Sequence, residues 1–178
     1  MNRNPLLLRT GSLLGAFLLA QVFTSLSADP VKAVVESVQG TVEFAPPASG
    51  SFSPLKTGQI LDVGSTIRTG GDGTADILTT PGSAIHVGND SNLRLNVLAF
   101  AKSGSTVTQR EAHIQLTSGV VSALIDPSTP KITDFQVQTP EGSAAARGTF
   151  YAVMVRHGKT YVSVEQGKVG AIANLKHR

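Results

Sequence analysis

Arg147 is a lone charge in a run of small residues, Ser143-Ala144-Ala145-Ala146-Arg147-Gly148-Thr149-Phe150, and its five fixed N–H donors suit it to two different tasks. Turned inward, the guanidinium would tie off loop carbonyls or a carboxylate such as Asp126 or Glu141 and lock the sheet where the next strand begins. Turned outward, it would contact an anion or carboxylate on a ligand. Other reactive groups give weaker patterns. Ser53-Pro54-Leu55-Lys56 fits S-x-x-K and Lys56-Thr57-Gly58 fits K-T-G, but the two fragments share one lysine, which an active site built from separate elements does not do. The chain contains no G-x-S-x-G. His86, His113, His157 and His177 have no ligand spacing between them, and the apolar neighbours of His86 and His113 predict that both point to solvent. With no nucleophile–base pair and no acid–base pair in view, the chain reads as not an enzyme, with no catalytic residue, no metal ligand and no cofactor.

Two further motifs have plain explanations. Gly70-Gly71-Asp72-Gly73-Thr74-Ala75-Asp76 approaches a calcium-binding nonapeptide, but the aspartate arrives one residue late and the unit does not recur, so a tight turn is expected. Asn89-Asp90-Ser91 matches a glycosylation sequon within turn chemistry.

The elements that position these residues are strands. Apolar residues fall at every second position in Thr66-Ile67-Arg68, Ala75-Asp76-Ile77, Ile85-His86-Val87, Leu93-Arg94-Leu95-Asn96-Val97, Ile114-Gln115-Leu116, Phe135-Gln136-Val137 and Val162-Ser163-Val164. Period two means one buried and one wet face. Gly-Gly-Asp-Gly at 70–73, Pro81-Gly82, Gly88-Asn89-Asp90, Ser103-Gly104 and His157-Gly158 break the runs as turns. Gln39-Gly40, Ser118-Gly119 and Gln166-Gly167 each open a strand with a polar–glycine pair, unequally spaced and so not a repeat array. These patterns predict an all-β single domain of about a dozen short strands without helix, either a β-sandwich or a short roll of β-helix character. Ala45–Pro54 and Asp126–Asp134 are the longest irregular stretches.

Several blocks resemble the FecR-like domain family. Its signature reads roughly A-x-x-R-G-T-x-F-x-V, and here Arg147, Gly148 and Thr149 stand in place, with Tyr151 where phenylalanine is usual and Val153 two residues on. Gly64–Ile77 is similar to the family's G-x-x-I-x-T-G-x-x-G-x-A block, through Gly64, Gly70 and Gly73, and Gly82–Leu95 to its G-S-x-I-x-x-G-x-x-S-x-L-x-L block. With LTSGVVSALI and FQVQTPEG, the resemblance spans roughly Val35 to Val169. It implies that Tyr151, Val153 and Val155 face the core. Phe150, Ala152 and Met154 then form an apolar outer stripe that needs covering, either by a strand or by the Ala45–Pro54 loop, which would bury the strand on both faces, or by a partner or second copy. Arg147, Phe150 and Met154 are the candidate binding residues; Gly64, Gly70, Gly73, Gly82, Gly148 and Thr149 are structural.

Composition sets the compartment and narrows the function. Arg3 and Arg9 precede an apolar run from Leu13 to Phe23, and Ser25 and Ser27 are small residues placed for a signal peptidase, so residues 1–27 read as a cleaved leader and 28–178 as the domain. The run is shorter than the roughly 20 residues that cross a bilayer, so no stable membrane anchor is expected. There is no cysteine, which excludes disulfides, thiolate metal sites and a lipoprotein anchor. Without Arg3 and Arg9, 15 basic residues against 12 acidic become 13 against 12, a balance that gives no reason to expect nucleic acid. The family's signalling members relay a receptor's state to a sigma factor through a cytoplasmic segment and a membrane helix, which this reading of the leader does not supply. The expectation is a periplasmic or secreted, non-catalytic module that binds an envelope or extracellular protein or glycan; the alternative is a periplasmic sensor component working with a separate regulator.

Overall fold

The computed structural model describes residues 31–174, and these form fourteen strands, β1 to β14 in chain order, hydrogen-bonded into one curled sheet. One strand organises it. β9 (Thr106–Ile125) runs for 20 residues, twice the length of an ordinary long strand, and has four neighbours. Its first half pairs with β8 (Asn92–Ser103) and β10 (Thr133–Thr139), its second with β7 (Ser83–Val87) and β12 (Phe150–Arg156).

The sheet therefore has two wings that share β9. The first runs through β7, β6 (Thr74–Thr80), β1 (Ala33–Gln39) and β4 (Ile60–Leu61) on one side, and through β12 and β13 (Lys159–Gln166) on the other. The second runs through β8, β5 (Thr66–Thr69), β2 (Val42–Ala45) and β3 (Ser53–Pro54), and through β10, β11 (Gly142–Ala146) and β14 (Val169–Ala173). The wings face each other over one core, as in a sandwich, yet they are a single sheet. All pairings are antiparallel except β9 with β10.

The bend in β9 is written in its alternation. Arg110, Ala112, Ile114 and Leu116 are buried, and then the buried phase moves to Val121, Ala123 and Ile125. Between them Gly119 has φ +86°, and a Cβ there would run into Ser91 and the carbonyl of Asp90, so glycine alone fits. Across the core, Tyr151 of β12 meets Phe135 of β10 edge to face, ring centroids 6.4 Å apart. Its buried phenol reaches the Ala144 carbonyl at 3.5 Å, and burial holds its pKa above the usual tyrosine range.

The Ala45–Pro54 loop belongs to the second wing: Ser53 pairs with Phe44, and the Phe52 ring lies under the Arg68 guanidinium at 3.9 Å. It does not cover β12. The expected leader, residues 1–27, lies outside the described residues; within them no helix is long and apolar enough to cross a membrane.

Candidate functional site

β11 is built of small residues, Gly142-Ser143-Ala144-Ala145-Ala146. Ala144 and Ala146 are buried inward, so strand alternation turns Arg147 outward, where it is exposed. Gly148 then takes φ +96°, with its α-carbon so close to Pro127 that an added Cβ would lie 2.5 Å from the Pro127 Cα. Thr149, buried, donates to the Lys168 carbonyl at 3.2 Å. Glycine and threonine of the signature thus form the corner that carries the chain from the second wing to the first. Gly64, Gly70, Gly73 and Gly82 lie in the turns ahead of β5, β6 and β7, and the Asp72 carboxylate in the second of these turns accepts the Thr41 N–H at 3.2 Å, which draws its pKa down.

The inward role expected for Arg147 falls to Arg110. Asp126 lies 3.7 Å from Arg110 Nη2, while Arg110 Nη1 donates to Thr129 and Thr133 at 2.8 and 3.3 Å; its side chain is only 6% exposed. The Asp126 carboxyl is held below its ordinary range by the Ser128 N–H and hydroxyl, with Arg110 adding attraction. Glu141, the other expected partner, accepts the Thr160 N–H instead. The sequence carried a signal for Arg110, since it stands in phase with Ala112, Ile114 and Leu116. Arg147 instead lines an outer groove of 490 Å³ with Lys168, Gln136, Asp134 and Gly170. Among the described residues neither Arg147 nor Lys168 is within ion-pair distance of a carboxylate, although Asp134 lines the same groove.

Phe150 and Met154 lie on the other wing. Tyr151, Val153 and Val155 are buried and Phe150, Ala152 and Met154 half-buried, so the described residues cover β12 fully on one face only. The stripe is wider than one strand. In-register pairs carry an apolar row across six strands, Ile60, Val34, Leu78, Ala84, Leu124 and Phe150, of which Leu124 is 61% exposed. Beside it, His86 Nδ1 and Ser37 Oγ reach the two oxygens of Asp76 at 2.8 and 2.5 Å, which lowers the pKa of that carboxyl. His86 is exposed as expected. His113 is not, being drawn between Glu111 and Asp134.

A third surface has no counterpart in the expected sites. Among the described residues β13 pairs only with β12, and β14 only with β11. Val162 and Val164 continue the inward rows of Val153 and Tyr151, and Ala171 that of Ala144, yet Val162 and Val164 remain 38% and 44% exposed. The wings gape here. A cleft of 600 Å³ opens between the two strands, lined by Val162, Ala171, Ile172, Ser143, Thr160 and Glu141 among others.

Strand edges unpaired among the described residues, a partly apolar cleft and a groove carrying Arg147, Lys168 and Asp134 are the exposed features of the domain. The family model described as FecR protein matches residues 65–170, more than half of the chain, and the chain belongs to that family. The family is a regulatory and signalling one. No curated protein and no solved structure matches.

Proposed function

We propose that this chain is a non-catalytic, exported binding module that takes an extended segment of another envelope protein into the cleft between β13 and β14. The observation that carries this reading is the exposure of Val162 and Val164, whose row neighbours Val153 and Val121, and Tyr151 and Ala123, are buried. A strand entering the cleft would cover those side chains while its main chain pairs with a free edge, the usual way in which a sheet edge takes a peptide. The amino-terminal pattern of Arg3, Arg9 and the apolar run supports export.

A photo-crosslinking residue at Val164 in the producing cell tests this. A discrete peptide adduct that disappears in Val162→Glu is the expected result. A carbohydrate adduct would favour glycan binding, and no adduct from Val164 alongside one from Leu124 would move the interaction to the apolar row. Family membership favours a second reading, a sensor component working with a separate regulator. Deleting the gene would then change transcription from a sigma-dependent promoter, which a plain binding module would leave untouched.

A further inference from the structure

The parallel pairing of β9 with β10 sets Asp134 directly beside Glu111, with His113 two residues further on the same face. His113 Nε2 lies 3.4 Å from Glu111 Oε1 and 3.3 Å from Asp134 Oδ2, and one ligand atom from each of the three side chains falls within 4.8 Å of the others. A single ring nitrogen carries at most one proton, so it can make a short, linear hydrogen bond to one of the two carboxylates and not to both. Both contacts are also longer than the 2.7–2.9 Å of a charge-assisted hydrogen bond. They match instead the edge of a tetrahedron around zinc, about 3.3–3.4 Å for ligand bonds of about 2.0–2.1 Å.

Both carboxylates are held from outside the triangle. Gln136 Nε2 donates to the two oxygens of Asp134 at 3.1 and 3.2 Å, and Gln109 Nε2 donates to Glu111 Oε2 at 3.1 Å, the oxygen not facing His113. Such partners fix the direction of a ligating carboxylate. The His113 side chain is 17% exposed and that of Asp134 47%, so the triangle opens to solvent on the Asp134 side.

We infer that Glu111, His113 and Asp134 form a binding site for a zinc-like divalent transition cation, with water in the fourth position. One imidazole and two carboxylates suit zinc or its borderline neighbours better than calcium or magnesium, which take oxygen ligands. The two carboxylates balance the charge of the ion. The site would pin β10 to β9 at the parallel pairing, beside the groove lined by Arg147 and Lys168.

The chain, purified without a histidine tag and stripped with chelator, should be titrated with zinc chloride by calorimetry, and with cobalt(II) while visible absorption is recorded. The expected result is one ion per chain, intense tetrahedral cobalt bands and a melting temperature that rises with free zinc. His113→Gln should weaken binding at least about tenfold and abolish the bands, Gln136→Ala should weaken it less, and His86→Gln should leave it unchanged. No saturable binding to the wild-type chain, or binding and bands unaltered in a folded His113→Gln, would overturn the site. Should His113→Gln fail to fold, Asp134→Asn carries the same test.

Discussion

Thr149 donates its hydroxyl to the carbonyl of Lys168 at 3.2 Å, and in doing so it ties together two crossings of the chain between the wings, one from β11 to β12 and one from β13 to β14. Gly167, at φ +94°, leaves the room for this contact, since a Cβ there would lie 2.7 Å from the Thr149 hydroxyl. The two corners hold the strands that border the open cleft, so the glycine and threonine of the R-G-T signature shape that cleft through the backbone.

Replacing Thr149 with valine keeps the shape and removes the donor. The expected loss is about 1 kcal/mol, from the denaturant midpoint at unchanged slope. Gly148→Ala should cost more, because it adds contact with Pro127 to a backbone conformation that alanine resists. Equal midpoints for Gly148→Ala and the wild-type chain would show that the corner relaxes.

Arg110 and Arg147 should separate stability from binding. Arg110→Ala removes a buried guanidinium from Thr129, Thr133 and Asp126 and is expected to destabilise by about 1–3 kcal/mol. Arg147→Ala should stay within about 0.5 kcal/mol of wild type, as exposed substitutions do. Chemical denaturation of both variants checks the pair; a strongly destabilised Arg147→Ala would return the structural role to that residue.

The strand order was less legible in the sequence than the strands themselves. Alternation in Ile85-His86-Val87 or Phe135-Gln136-Val137 marks a strand because one face is buried, and it marks the face correctly. Alternation does not say which strand lies next door. The Glu111–Asp134 neighbourhood therefore stays hidden, since it arises from a parallel pairing of residues far apart in the chain. Arg147 and Arg110 show a related limit. An arginine among alanines looks confined, but its direction depends on the phase of β11, whereas the phase of Arg110 with Ala112 and Ile114 could have been read directly.

Acid should weaken the fold partly through Asp76. Its pKa is lowered by hydrogen bonds from Ser37 and then His86, so its contribution is present above the ordinary value of 3.8 and is lost as the pH falls through the lower folded value. Asp76→Asn should melt at a lower temperature than wild type near pH 7, and the gap should close only below about pH 4, where the wild-type carboxylate takes up its proton. Melting curves across that range test this, and a gap unchanged down to about pH 2 would remove Asp76 from the acid response.

Met154→Glu probes the outer face of β12. Burial on both faces would make an unpaired carboxylate there severely destabilising. Met154 is instead half-exposed, beside Val120 and Tyr161 on the neighbouring strands, and the glutamate can reach water. The isolated domain should therefore stay folded, with a loss below about 1 kcal/mol. If the apolar row from Ile60 to Phe150 pairs two copies of the chain, the same variant should shift a dimer to monomer in light scattering while the melting transition stays cooperative. Loss of that cooperative transition would mean that something beyond residues 31–174 covers β12, and would restore the reading of a strand buried on both faces.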